Sequence, residues 1–131
     1  MIAGIAHTAL VVREYEEAID FYCGKLGFIV VEDAQLKNKR WIRLRAPGGA
    51  GSEILLSRAV DDKQRASIGN QTGGRVLFFL HTDDFDSDYA RFRASGIEQH
   101  DLEQSFLRFQ YLVFAVRSCL LLCATLRPER S

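Results

Sequence analysis

One predicted strand in the first half of the chain carries residue types that are typical of a ligand-binding surface. Trp41, Arg43 and Arg45 fall on one side of a predicted strand, because successive side chains of a strand point to opposite faces. Ile42 and Leu44 fall on the other side, which is suited to a core. An indole ring can stack on a flat molecule, and guanidinium groups can hold its negative charge. An ordinary solvated sheet face has the same pattern, so both interpretations stay open.

Cysteine is the second residue type that could do chemistry. Cys119 and Cys123 are four residues apart, a spacing that aligns two soft metal ligands on a helix or a strand, but the leucines between them favour burial as small hydrophobic side chains. Cys23 lies near the end of a predicted helix, where the dipole does not activate a thiol. The chain has three cysteines and no Cys-x-x-Cys pair, which argues against a disulfide framework. This pattern indicates a reducing compartment, so we expect the protein in the cytoplasm.

The elements that must position these side chains occur twice along the chain. In the first copy, a strand over 7–12 is followed by an amphipathic helix over 14–23 and a new strand from Gly27. In the second copy, a strand over 76–81 is followed by a helix over 84–94 and another glycine. The start of the strand and the glycine in the second copy each lie the same number of residues after their counterparts in the first copy. The sequence therefore predicts two βαβ-like modules with the same fold.

Strands rather than helices fill the segment after the first helix. We predict them over 27–32, 40–46 and 53–57, with a glycine-rich turn that joins the last two. The polar segment 60–74 is long for a compact domain and is predicted to link the modules, with a helical turn or two over 62–68. The predicted divisions of the chain are module one (1–59), the linker (60–74) and module two (75–131).

Composition and motifs exclude several classes of protein. Lys+Arg and Asp+Glu are both 17, so the net charge of the 131 residues is +0, and without a long basic run we expect no nucleic-acid partner. The apolar stretch 111–126 carries Arg117 and is shorter than the roughly 20 residues that span a bilayer, so we expect no membrane partner. The run 2–12 is broken by His7 and is a poor signal peptide. The motifs Gly-x-Ser-x-Gly and His-Glu-x-x-His are absent from the sequence.

Three segments together resemble the vicinal oxygen chelate superfamily, which includes glyoxalase I, bleomycin-resistance proteins and extradiol dioxygenases. They are His7 with the alternating apolar residues after it, the motif Phe-Tyr-x-x-x-Leu-Gly-Phe at 21–28, and the second-module run 74–96. The resemblance implies an α+β fold in which paired βαβββ modules form a cupped mixed sheet with the helices on its outer face. It also implies a single glyoxalase-like domain over 1–131 and a homodimer.

The resemblance further implies one divalent metal in the cup, Zn²⁺, Ni²⁺, Mn²⁺ or Fe²⁺, held by His and Glu from four strands as a Lewis acid on two neighbouring substrate oxygens. His7 matches the ligand of the first strand. The Glu of the fourth strand aligns near Leu55, and Glu53 has the same side-chain parity. The His of the fifth strand falls on an apolar residue, and His81 lies roughly 13 Å further along that strand. The metal ligands that this sequence offers are therefore His7 and Glu53.

The chain departs from the family pattern after Glu98. Residues 99–131 contain no glycine, so the expected tight turn and the final Glu ligand are missing. Apolar residues over 106–116 and 119–126 still predict two strands that would complete the second module. One hypothesis is that this tail comes from a shifted reading frame. Translation of the coding DNA beyond Glu98 in the other two frames tests it, and the absence of the motif there would rule it out.

Three functions are compatible with these observations. The first is a metal-dependent lyase, isomerase or dioxygenase that acts on a small oxygenated substrate through His7 and Glu53. The second is a metal-free small-molecule-binding protein of the bleomycin-resistance type, in which Trp41 and Phe79 stack on the ligand while Arg43 fixes its charge. The third is a degenerate paralogue whose remaining role is dimerisation. The predicted ligand-binding residues are Trp41, Arg43, Phe79 and His81.

Overall fold

The computed structural model describes residues 1–73, 75, 77–97, 102–106 and 112–116. The chain divides into two units, Met1–Ala66 and Ser67–Ser131, and the division lies inside the predicted linker. The elements of the first part of the chain are β1 (His7–Val12), α1 (Tyr15–Ile19), a π-helix (Asp20–Lys25), β2 (Ile29–Gln35), β3 (Arg40–Arg45), β4 (Glu53–Arg58) and α2 (Asp62–Ser67). Those of the second are β5 (Phe78–Thr82), α3 (Phe85–Ala94), β6 (Leu102–Phe106) and β7 (Leu112–Val116).

The four strands of the first unit form one mixed sheet in the order β1-β4-β3-β2. β1 and β4 are parallel, and their register pairs His7 with Glu53. The other neighbours are antiparallel, and the β3–β4 register pairs Arg43 with Leu55. The first and last strands of the module are therefore neighbours, which places residues from β1, β3 and β4 side by side.

The core of the first unit lies between one face of this sheet and the helical segment that follows β1. Ile42 and Leu44 are fully buried, as the alternation along β3 predicted. Ala18 of α1 is buried with them, and Tyr15 and Ile19 are half-buried. Trp41, Arg43 and Arg45 are all partly exposed and occupy the opposite face. The remaining buried residues of this unit are Leu10, Val12, Phe21, Tyr22, Leu26, Ile54 and Leu56.

The helix predicted over 14–23 changes character half-way. It is α-helical to Ile19 and continues as a π-helix, in which the amide of Leu26 donates to the carbonyl of Phe21 at 3.0 Å. A π turn holds more residues than an α turn, and here it lets two consecutive rings enter the core, because Phe21 and Tyr22 are both buried and meet edge to face at 5.0 Å. A periodicity of 3.6 residues cannot indicate that arrangement. Gly27 follows at φ 83° and turns the chain into β2.

The second unit has a three-stranded antiparallel sheet in the order β5-β7-β6. α3 begins after Asp84, whose carboxylate accepts a hydrogen bond from the amide of Ser87 at 3.1 Å. The helix predicted over 84–94 is confirmed, and its Phe85 and Phe92 are buried. None of the helices in the described ranges combines the length and the apolar character needed to cross a bilayer.

The strand predicted over 106–116 is confirmed in part by β7, whereas β6 lies before it and was not predicted. Cys119, Cys123 and the strand predicted over 119–126 lie outside the described residues. The predicted α+β class is confirmed. The grouping of both modules in a single domain stays a prediction.

Candidate functional site

The exposed face of the first sheet brings together four residues singled out from the sequence. Alternation and register place Trp41 and Arg43 of β3 on the same face as Glu53 of β4, beside His7 of β1. β3 and β4 are joined by a turn in which Gly49 and Gly51 adopt positive φ values of 79° and 84°, so the hairpin closes without strain. The set His7, Trp41, Arg43 and Glu53 is called the polar face below.

Arg43 is the centre of charge on the polar face. Its Nε donates to Glu32 Oε1 at 2.9 Å, and its second guanidinium nitrogen donates to Glu53 Oε1. The side chains of Arg43 and Glu53 are 22% and 24% exposed, so this pair is partly shielded from water. The Glu32 carboxylate, followed by that of Glu53, raises the pKa of Arg43 above its ordinary value, and the guanidinium stays charged.

Glu32 is a member of this cluster that the sequence did not reveal. The β2–β3 register shifts between Val30 and Glu32, and as a result Glu32 rather than Val31 lies opposite Arg43. This irregularity reverses the side-chain parity after Val30. Regular alternation would have placed Glu32 on the core side with Val30. The one indication of the bulge in the sequence is that Glu32 is a charged residue in an otherwise apolar part of the strand.

Trp41 provides the aromatic surface beside this cluster. Its ring is half-buried, and the imidazole of His7 meets it edge to face with the ring centroids 6.1 Å apart. The ammonium group of Lys39 lies over the indole, 5.7 Å from the ring centroid. The indole is therefore held by two side chains while part of it remains accessible.

The polar face does not provide the ligand set of a divalent metal. His7 Nδ1 and Glu53 Oε1 are 3.5 Å apart, so the two predicted ligands do meet. However, the same Glu53 oxygen accepts from Arg43, whose positive charge opposes a cation at that position. Protein metal sites generally take three or more side-chain ligands, and no group of three His, Cys, Asp or Glu side chains arranged to hold a metal occurs within the described residues.

Phe79 and His81 lie on one face of β5 in the second unit. Both side chains are exposed, with Phe79 at 56%, whereas Phe78, Leu80 and Thr82 between and beside them are half-buried. The two side chains therefore lie on the more exposed face of the strand. Their role in binding a ligand stays a prediction.

A cavity of about 470 Å³ opens at one end of the first sheet, where β3 begins and β4 ends. Trp41 reaches it from the polar face together with Leu55 and Ser57 of β4. The hairpin between β2 and β3 supplies Lys39 and Asn38 to its wall. The cavity could not be predicted from the sequence, because its lining comes from segments that are distant along the chain.

Residues 4–103 match the family described as the Glyoxalase/Bleomycin resistance protein/Dioxygenase superfamily. The chain belongs to this superfamily. An uncharacterized protein of Shewanella frigidimarina is 49% identical to it over 100 residues, which are 75% of this chain and 74% of that protein.

Two solved structures are similar to this chain in fold. The chain is similar to TnmS3, described as an antibiotic binding protein from Streptomyces sp. CB03234, with 28% identity, a TM-score of 0.59 and coverage of 74% of each chain. It is also similar to UcmS2, with 25% identity, a TM-score of 0.66 and coverage of 87% of this chain and 90% of that one. The resemblance inferred from the sequence is thus confirmed at the level of the superfamily.

Proposed function

We propose that this protein binds small flat molecules without a metal, with the ligand against Trp41 on the polar face and in the adjoining cavity. The observation that carries the proposal is the contact of Arg43 with Glu53. In this arrangement, the fixed positive charge of the face belongs to a guanidinium group instead of a metal ion. A guanidinium group presents several N–H donors in one plane, so it can orient oxygen atoms of a ligand as well as hold the two carboxylates.

The size and composition of the cavity support a binding role. Its volume of about 470 Å³ lies in the range of roughly 300–1,000 Å³ that small-molecule sites occupy. Aromatic stacking adds about 0.5–1.5 kcal/mol beyond the burial of area, and Trp41 supplies that surface. The similarity to TnmS3, which is described as an antibiotic binding protein, adds support from a related chain.

The test of stacking uses the one tryptophan of the chain as its reporter. Chelator-treated protein is titrated with N-phenyl-1-naphthylamine, a flat uncharged fluorophore, while tryptophan emission is followed. We expect saturable quenching, because the probe would contact Trp41, and an unchanged titration when Zn²⁺ is added. Quenching that appears only with a metal, or does not saturate, would contradict the proposal.

A metal-dependent lyase, isomerase or dioxygenase is the second candidate, and the 3.5 Å approach of His7 Nδ1 to Glu53 Oε1 favours it. Thermal unfolding with Zn²⁺, Ni²⁺, Mn²⁺ and Fe²⁺ separates the two. A metal at 100 times its Kd adds about 2.7 kcal/mol, which for 131 residues raises Tm by about 10 °C. Metal-independent binding predicts no such rise. A rise that His7→Ala abolishes would favour the enzyme.

We also propose that the protein acts as a homodimer, as expected from the family resemblance. Sedimentation at micromolar concentration tests this, and a monomer there would contradict it.

A further inference from the structure

The cavity at the end of the first sheet has an unbalanced charge. Its lining includes Lys39, Arg40 and Arg58 but no Asp or Glu, counted over the part of the chain that the structure describes. Three cations around one opening would favour a negatively charged molecule, if their charges were available. The availability of each charge depends on whether the side chain already has an acidic partner.

Arg40 is fully engaged with acidic neighbours. Its Nε and one terminal nitrogen donate to the two oxygens of Asp33 at 2.9 and 2.8 Å, and the other terminal nitrogen donates to Glu16. These carboxylates, Asp33 before Glu16, raise the pKa of Arg40 well above its ordinary value. Arg58 is similarly placed 3.2 Å from Glu14. Both arginines therefore already pair with carboxylates, which offset their positive charge.

Lys39 differs from both arginines. Among the described residues no carboxylate lies within ion-pair distance of its ammonium group, which lies over the ring of Trp41 instead. A cation–π contact at an exposed site is weak compared with a charge-assisted hydrogen bond to an anion. The lysine stem is flexible and has several rotatable bonds, so the ammonium group can leave the ring at little cost.

The backbone beneath Lys39 is fixed even though its side chain is not. The amide of Leu36 donates to the carbonyl of Lys39 at 2.7 Å and closes the β2–β3 turn. The side chain of Gln35 donates to the carbonyls of Leu36 and Lys39 at 3.0 and 3.3 Å. The turn therefore presents the lysine at a constant position relative to Trp41.

We propose that this cavity selects aromatic anions, a flat ring system that bears a carboxylate or sulfonate. The anionic group pairs with Lys39, the ammonium group moves off the indole, and the uncovered face of Trp41 stacks on the ligand ring. Lys39 is thus a specificity-determining residue that covers Trp41 until an anion replaces that contact. This inference rests on the proposed function and adds the charge of the ligand to it.

The test compares three flat probes that differ in charge. They are 8-anilinonaphthalene-1-sulfonate, its uncharged analogue N-phenyl-1-naphthylamine, and proflavine, a planar cation. Each is titrated against the whole chain while the emission of Trp41 is followed. The test variant is Lys39→Gln, and the matched control is Lys37→Gln, because Lys37 belongs to the same turn but does not line the cavity.

We expect the sulfonate to bind most tightly of the three probes, and we expect its binding to weaken with added salt. Lys39→Gln should weaken sulfonate binding about five- to tenfold, as expected for loss of one charge-assisted contact. Lys37→Gln should change sulfonate binding less than about twofold. Binding of the uncharged probe should be unchanged in Lys37→Gln and should not weaken in Lys39→Gln, because that substitution removes the ammonium group that lies over Trp41.

The contrary outcomes separate the two proposals. If the uncharged probe binds as tightly as the sulfonate, or if Lys39→Gln leaves sulfonate binding intact, charge selection is wrong and stacking on Trp41 survives. If proflavine binds most tightly, the carboxylates of the polar face select the ligand and the inference is overturned. If no probe gives saturable quenching of Trp41, the proposed function itself fails.

Discussion

Replacement of Ile42 by alanine tests which face of the first sheet is core and therefore which face is available to a ligand. Ile42 is 0% exposed, and it lies opposite Leu56 of β4 and Asp33 of β2. Truncation of a buried isoleucine to alanine costs about 2–5 kcal/mol, because transfer energy is lost and a cavity remains. A central strand between two neighbours collapses little, so we expect a value in the upper half of that range.

The assay is urea unfolding followed by the emission of Trp41, which reports on the first unit. Arg45→Ala is the matched control on the same strand. Arg45 is half-buried on the opposite face, and its guanidinium group donates to the carbonyl of Ala46 at 3.1 Å. Removal of a side chain from that face should change the free energy of unfolding by about 0.5 kcal/mol. A larger loss for Arg45→Ala than for Ile42→Ala would show that the faces are reversed, and the polar face would then be core.

Two further predictions concern α3. Asp84→Ala removes the side-chain cap of this helix and should lower the free energy of unfolding by about 1 kcal/mol. Asp83→Ala should change it little. Thermal unfolding followed by circular dichroism measures both variants. Burial favours the neutral form of Asp88, but hydrogen bonds from Thr82 at 2.5 Å and Arg91 at 2.8 Å outweigh it and hold the pKa of Asp88 below its ordinary value. That stabilisation is present above the ordinary carboxyl pKa and is lost as pH falls through the folded-state pKa. Asp88→Asn should therefore cost about 1 kcal/mol near pH 7 and almost nothing near pH 2, and an equal cost at both pH values would contradict the assignment.

Much of the first unit could be predicted from local pattern. Alternation over residues 40–45 assigned the faces of β3 correctly, because Ile42 and Leu44 are buried. The amphipathic helix predicted after the first strand likewise buries one side, because Ala18 lies in the core. These features depend only on the period of one element, which the order of residues records directly.

The contacts that define the site depend on register between elements, which periodicity does not record. The bulge before Glu32 brings that carboxylate to Arg43, and the parallel register of β1 and β4 brings His7 to Glu53. Both are pairings between strands, and a shift of one residue would move each side chain to the other face. The sequence could name His7, Glu53 and Arg43 separately, but not the ion pair between Arg43 and Glu53.

Among the described strands, β1 has one neighbour, β4, and the two lie at opposite ends of the module's chain. Their closure must overcome the entropy of the long intervening segment, and an edge strand can open locally before the rest of a sheet unfolds. His7 leaves with β1 in such an open form, while Trp41 and Arg43 stay on their hairpin. A ligand that contacts His7 would therefore stabilise the edge strand against local opening. Slower amide hydrogen exchange in β1 would then report binding of the ligand.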